Sequence, residues 1–283
     1  MSVNKSLYEE FIISSGDGST TVNIAEGVVN FTYYENLFSP VLTARIVVVN
    51  TGGVVAGKDG KLQSLYNGLP LRGGERVSIK IAANSGTNQP LDFSEPTKNF
   101  YVSGIENVMI DGERESLVLN LVSREAITNE TVRVGKKFPT NNNISDSVTD
   151  ILKNYIKTDK INKIETTMNN YGFIGNLKKP FQIITWLAGK SMSGESEQSS
   201  GGNSAGFFFY QTREGFNFRS IDSLVEQDPF ERDYRFAPNV VNSDDPLKDF
   251  KIISFNINKN QNLLNKLERG TYSSQRYYIN PCL

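Results

Sequence analysis

Phe100-Tyr101-Val102-Ser103-Gly104-Ile105-Glu106-Asn107-Val108-Met109, Ile110-Asp111-Gly112-Glu113 and Ser116-Leu117-Val118-Leu119-Asn120-Leu121-Val122 form the stretch whose reading decides the fold. Two apolar runs with strand alternation flank an Asp-Gly pair. Glycine accepts the positive φ that a tight hairpin needs, so this order predicts two paired antiparallel strands. Working back toward the N-terminus, Phe11-Ile12-Ile13, Val28 to Tyr34, Leu42 to Val49 and Arg76 to Ile81 repeat the pattern. Ser14 to Gly18 and Thr51-Gly52-Gly53 punctuate them, and Val54 to Pro70 reads as a long connection. About six consecutive antiparallel strands without a helix predict a small barrel or sandwich over residues 1–128.

Forward of the hairpin the period changes. Ile144, Val148, Ile151, Leu152, Tyr155 and Ile156 lie on one face of a helix, with Asn143 or Ser145 able to cap its start. Pro180 suits a first helical turn, and Phe181, Ile184 and Leu187 follow at helical spacing before Gly189. Residues 129–190 therefore read as a small helical insert. The stretch 191–205, SMSGESEQSSGGNSA, has too few apolar side chains to offset the entropy of ordering, and is expected to be a mobile loop. Strands resume over 206–283: an aromatic hairpin from Gly206 to Gln211 and Gly215 to Ile221, then Phe250 to Ile257 with Ile253, Phe255 and Ile257 on one face. A short helix from Gln261 to Arg269 ends at Gly270, and Thr271 to Tyr278 reads as a further strand. The expected class is mainly β with a small α insert (α+β): two antiparallel β-barrel domains, the second incomplete.

Composition narrows the chemistry. The 283 residues carry 30 Lys and Arg against 31 Asp and Glu, so no overall field draws the chain to nucleic acid or acidic lipid. With no histidine and one cysteine, Cys282, neither a Ser-His-Asp nor a Cys-His mechanism nor an ordinary zinc site can be assembled. A lone cysteine closes no intrachain disulfide. No apolar run approaches the roughly 20 residues of a membrane-spanning helix, and Glu9 and Glu10 fall where a signal peptide has its apolar core. Assembly in the cytoplasm is expected, with no membrane anchor.

Candidate sites are few. Asp17-Gly18, Asp59-Gly60 and Asp111-Gly112 lack the alternating oxygen ligands of a calcium loop and read as turns. Glu9 with Glu10, Glu113 with Glu115, and Asp244 with Asp245 are carboxylate pairs of the kind a glycosidase needs, and also ordinary solvated charge. Gly52-Gly53, Gly73-Gly74 and Gly201-Gly202 lack the Gly-Lys-Ser/Thr of a phosphate loop. Trp186 with Tyr155 and Phe173 suggests either a sugar-stacking platform or core packing. No catalytic, cofactor or metal residue is assigned.

From Phe100 onward the order of these patterns resembles the central baseplate-hub protein of contractile-tailed bacteriophages of the T-even type, a family related to the hub portion of type VI secretion spike proteins. The resemblance is carried by Phe100-Tyr101-Val102, Leu117 to Val122, Ser123 to Glu130, Gly135-Lys136-Lys137-Phe138-Pro139, the helix from Ile144, and Pro180-Phe181 with Trp186. Phe207 to Tyr210, Gly215 to Phe218, and Arg269 to Ser274 with Asn280-Pro281 complete it. It implies a homotrimer whose paired barrels ring a central channel. Such a ring joins a hexameric tail tube to a trimeric cell-puncturing spike, with tube, spike, baseplate and tape-measure proteins as partners. It implies a virion protein that is not an enzyme, needs no cofactor and meets nucleic acid only as it passes through the channel. Family members continue beyond the Asn280-Pro281 region to finish the second barrel, hence the incomplete second domain. The reading from another class is a carbohydrate-binding or carbohydrate-cleaving β protein, motivated by the Tyr residues, Trp186 and the acidic pairs.

The purified chain is expected to release no soluble fragments from peptidoglycan. Turnover abolished by a single Asp or Glu substitution would overturn that expectation.

Overall fold

The structure is a computed structural model that describes residues 7–51, 53, 55–56, 61–69, 71–83, 89–111, 114–194, 206–228, 234–236, 251–252, 254–257, 262–268, 270 and 273. In the N-terminal part, strands form where apolar residues alternate: β1 (Tyr8–Ser14), β2 (Thr21–Asn23), β3 (Val28–Tyr34) and β4 (Thr43–Thr51). They are followed by β5 (Val55–Ala56), β6 (Leu62–Gln63), β7 (Arg76–Ile81), β8 (Leu91–Phe93), β9 (Phe100–Asp111) and β10 (Arg114–Ser123). The hairpin forms as its sequence dictates. Asp111 pairs with Arg114, leaving residues 112–113, which lie outside the described residues, as the connection. β9 carries two register shifts against β10, and Asn107 takes a φ of 51° at the first of them.

The eight-stranded antiparallel sheet runs β2-β1-β7-β9-β10-β4-β3, with β8 added on β7. Its terminal strands, β2 and β3, are consecutive in the chain and are joined through the 3-10 turn Ala25–Gly27. A link from Asn23 to Val28 spans at most about 18 Å, so the sheet must curl around its apolar face. Phe11, Ile13, Ile46, Val77, Ile79 and Leu119 are buried there. The expected closed barrel is not formed: among the described residues no ladder joins β2 to β3. The three residues of β2 pair only with β1, and the chain then leaves through a turn in which Ala25 N–H donates to Asn23 Oδ1 and Gly27 N–H to Ile24 O. The span expected as a plain connection contributes core instead. Val55, Leu65 and Leu69 are buried, and α1 (Leu65–Gly68) starts where Leu65 and Tyr66 N–H donate to the Glu115 carboxylate at 2.7 and 2.8 Å.

A second core follows β10 without a break. Its elements are α2 (Arg124–Thr131), β11 (Lys137–Phe138), α3 (Ile144–Ile151), β12 (Ile161–Ile164), β13 (Phe173–Ile174) and α4 (Pro180–Ala188). β14 (Phe207–Thr212), β15 (Gly215–Ser220) and α5 (Ile221–Val225) complete it. The apolar face of α3 is buried as its periodicity requires, and a π-type turn over Leu152–Ile156 carries the stripe on until Lys157, at φ 57°. Neither Asn143 nor Ser145 caps α3 with its side chain; Ser145 N–H donates to Thr167 Oγ1 at 3.0 Å. Likewise Phe181 N–H, in the first turn of α4, donates to Asn129 Oδ1 at 2.8 Å.

The hairpin expected to open a second barrel belongs to this core. Alternation puts Phe207, Phe209, Phe216 and Phe218 on one side, where Phe181 of α4 meets the rings of Phe209 and Phe216, each at 5.5 Å. β12 pairs with β15 in parallel, so this three-stranded sheet is mixed rather than antiparallel. Such an aromatic face needs cover, and the helices supply it. The first residues of the expected loop are packed rather than free. Ser191 and Ser193 are buried, Ser193 bridges to Thr167, and 195–205 lie outside the described residues.

The two cores meet at Gln211. Its buried Oε1 accepts from Leu42 N–H at 3.2 Å and from Ser123 Oγ–H at 3.0 Å. Around that joint Phe208 packs edge-on against Phe38, and Arg213 N–H donates to Glu35 Oε1. The described residues up to Asp228 are one compact unit and those from Tyr234 onward belong to another.

In that second unit β16 (Arg235–Phe236) pairs in parallel with β17 (Lys251–Ile252). The strand expected over 250–257 is thus two residues long. Ser254 to Ile257 are described but lie in no strand, since β16 offers a ladder of only two residues. Phe255 packs edge-on against Phe236 instead. The expected helix is present as α6 (Leu263–Glu268) and Gly270 follows it at φ 69°, while Tyr272 to Ile279 lie outside the described residues except Ser273. No helix among the described residues is long and apolar enough to cross a membrane.

Gln211→Leu is expected to lower unfolding stability by about 1–3 kcal/mol, because two donors lose their acceptor. A fall in the denaturation midpoint with an unchanged slope checks this, and an unaltered midpoint would contradict it.

Candidate functional site

The acidic residues raised by the sequence turn out to be dispersed. Glu9 and Glu10 are neighbours on β1 at a register shift against β7, and both are engaged by side chains of that strand: Glu9 pairs with Lys80 at 3.0 Å, and Glu10 accepts from Ser78 Oγ–H. Glu115 is buried at the start of α1 as a cap, which leaves no room for a reacting carboxylate. Glu113, Asp59-Gly60 and Asp244-Asp245 lie outside the described residues. Asp17 closes a turn. It accepts from Ser15 Oγ–H and from both Ser19 N–H and Oγ–H, and the Ser15 bond above all holds its carboxyl at about 2. Gly73 and Gly74 take φ values of 99° and 94°, the conformation of a turn, while Gly52 and Gly201-Gly202 lie outside the described residues. Among the described residues no three carboxylate or cysteine side chains converge in a way that could hold a metal ion.

Two other groups have unusual acidity. Burial pushes the Tyr33 hydroxyl far up, reinforced by its bond to Glu35. Glu165 is fully buried, and burial raises its carboxyl. Donation from Ser193 Oγ–H at 2.6 Å and from Ser220 N–H at 2.7 Å outweighs that effect and holds it below the usual carboxylate range. Ser220 in turn caps α5, so one buried carboxylate ties the 193 segment to β12 and the end of β15.

Three features face solvent in a way that binding could use. A cleft of about 330 Å³ lies beside Asn23, Gly27, Val48, Asn50 and Leu65, and a shallower one of about 500 Å³ follows the outer sheet face past Tyr34, Arg45, Glu106 and Asn120. The distal half of β9 is bare from Glu106 to Asp111, with Met109 65% exposed. The third is an aromatic ladder. Phe138 and Phe173 stack at 4.4 Å on paired strands β11 and β13, and Phe173 and Tyr171 meet Trp186 edge-on at 5.7 and 5.6 Å. Lys190 Nζ stands 5.1 Å from the Trp186 ring and 5.2 Å from that of Tyr171.

Of the two aromatics the sequence grouped with Trp186, Phe173 meets its ring, while Tyr155, like Phe173 and Tyr171, packs against the second core. Tyr171 and Lys190 were missed, as was Lys136, whose Nζ stands 5.3 Å from the Phe138 ring. The one local signal was the spacing of Lys190 four residues after Trp186.

No protein-family profile matches the chain, and no curated protein matches it. In structure it is similar to bacteriophage tail proteins and to a type VI secretion component. The 43 kDa tail protein of prophage MuSo2 from Shewanella oneidensis aligns at a TM-score of 0.45 and 11% identity, over 74% of this chain and 54% of that one. A tail protein from Neisseria meningitidis MC58 aligns at 0.41 and 9%, over 74% and 50%. The E. coli c3393 protein is a component of the type VI secretion system with structural similarity to the T4 bacteriophage tail proteins gp27 and gp5; it aligns at 0.43 and 10%, over 82% and 52%. The chain spans about half the length of each of these proteins.

Glu165→Gln is expected to cost about 1.5–3 kcal/mol, the range for hydrogen bonds to a charged group. Because the folded carboxyl sits below its unfolded value, its contribution is present above about pH 4.3 and is lost as pH falls through the folded value. Unfolding midpoints from pH 7 to 3 should therefore converge for wild type and variant at the acid end; a gap that stays constant would refute the assignment.

Proposed function

We propose that this chain is a structural virion protein of a contractile tail. In this reading it is a trimeric baseplate hub that joins a hexameric tube to a trimeric spike around a central channel. The support is the order of the residue stretches from Phe100 onward together with one structural observation. Past its two-residue ladder with β7, β9 is paired only with β10, and it leaves Val108, Met109 and Ile110 in solvent. An arm of that kind suits a protein whose neighbours cover it. Leu263, Leu264 and Leu267 of α6 are similarly bare, at 54–70% exposure, as expected of a unit finished by contact with other chains.

Within this proposal residues 1–128 form the first tube-like domain and 129–190 the insert, with the 206–228 hairpin packed against it. Residues 229–283 begin the second tube-like domain. Partners are further copies of the chain and the spike, tube, baseplate and tape-measure proteins, assembled in the host cytoplasm. Carbohydrate cleavage is disfavoured by where Glu9, Glu10 and Glu115 lie, none of which faces another carboxylate across an open cleft.

Sedimentation velocity over a range of concentrations tests the reading. A species of three times the 31.6 kDa chain mass, seen as rings in negative stain, is expected. Met109→Asp should shift it toward monomer. A monomer at every concentration would overturn the hub assignment.

A further inference from the structure

We propose that the surface built by Trp186, Tyr171 and Lys190 binds an acidic polysaccharide, one uronic acid residue at a time. The inference is independent of the hub reading. Trp186 is the chain's one tryptophan, and its side chain stands 43% exposed on a helix whose other large residues, Phe181, Ile184 and Leu187, are buried. Tyr171 and Phe173 meet its ring edge-on, each at an interplanar angle of 71°, so the plane of the indole is fixed before any ligand arrives. A rigid, half-bare ring loses little conformational freedom on binding.

The charge beside it is also set in place. Lys190 Nζ lies over both the indole and the tyrosine ring, and among the described residues no carboxylate comes within ion-pair distance of it. Asn169 anchors that segment from both sides, its Nδ2–H donating to Lys190 O at 2.8 Å and its Oδ1 accepting from Met192 N–H at 3.0 Å. The stretch that carries the site is basic in sequence: residues 129–190 hold ten Lys and Arg against five Asp and Glu, in a chain of net charge -1, although Lys136, Lys160 and Lys179 are in ion pairs. The ligand that fits has an apolar face to lie against the indole and an anion for Lys190. A pyranose ring offers C–H groups on its face, and a uronic acid adds the carboxylate.

Competing occupants fit less well. Phe138 and Phe173 turn their faces to each other, so a single-stranded nucleic acid finds one ring where its successive bases need several. Strand alternation puts Ile174 and Lys137 on the opposite side of the β11–β13 ribbon. Among the residues flanking the site in sequence, from Met168 to Tyr171 and from Trp186 to Met192, the bare large hydrophobics are Trp186, Met168 and Met192, far fewer than the roughly 20 to 30 residues a side of a stable protein interface.

Because Trp186 is the lone tryptophan, its emission reports on the site directly. Titration with polygalacturonate should change that emission saturably, and added salt should weaken the effect. Neutral dextran should leave it unchanged. In affinity electrophoresis, which needs no fluorophore, Trp186→Ala should weaken polygalacturonate binding by about tenfold and Lys190→Gln by about threefold, with Lys61→Gln in the first core as an unaffected control. Circular dichroism confirms that each variant is folded. No saturable binding of polygalacturonate by the wild type would overturn the proposal. Equal binding of polyglutamate or oligo(dT), or undiminished binding by folded Trp186→Ala, would do the same.

Discussion

The structure depends on a constraint that no helix can meet alone: the first N–H groups of a buried helix have no partner within it. In this chain Ser64 and Ser220 cap α1 and α5 locally, and other acceptors arrive from remote segments. Glu115 reaches back about fifty residues to Leu65 and Tyr66, Asn129 reaches forward to Phe181, and Thr167 returns to Ser145. Glu165 receives Ser220 N–H at the residue that caps α5. Each bond satisfies a donor whose burial would otherwise cost about 1–3 kcal/mol, and each fixes one element against another. The polar groups inside this molecule thus specify how the pieces fit, while apolar burial supplies most of the driving force.

The same device joins the two cores. A single amide oxygen, Oε1 of Gln211, accepts from both Leu42 N–H and Ser123 Oγ–H, at the start of β4 and the end of β10. Since α2 leaves β10 without a linker, the curled sheet and the helical core are held where the chain passes between them. An aromatic hairpin with one apolar side is pinned at this point. Its phenylalanines cover α4, and its polar edge reads the sheet.

What faces outward follows from what these contacts leave over. The β9 arm has no cover along its distal half, and α6 presents its leucines to solvent. Both are surfaces an assembly can use. The Trp186 site differs in kind: it is small, rigid and supported from within, beside an ammonium that has no ion-pair partner among the described residues, as suits recognition of one sugar residue more than a broad interface.

The sequence by itself determined what local periodicity encodes. The 100–123 hairpin, the stripe from Ile144 to Ile156 and the Pro180 helix are legible because each repeat places its apolar residues on one face whatever lies opposite. The lack of histidine was likewise decisive for the mechanisms it removes. Only the tertiary structure decided whether the sheet closes, because closure depends on an edge ladder between β2 and β3 that no residue pattern records. The fate of the aromatic hairpin was equally hidden: Phe207, Phe209, Phe216 and Phe218 demand cover, but their alternation does not say whether a barrel or two helices will provide it. The acidic candidates were invisible for the same reason. Glu115 and Glu165 look like any charged residue in one dimension, and their role as acceptors exists only once distant backbone donors have been brought to them.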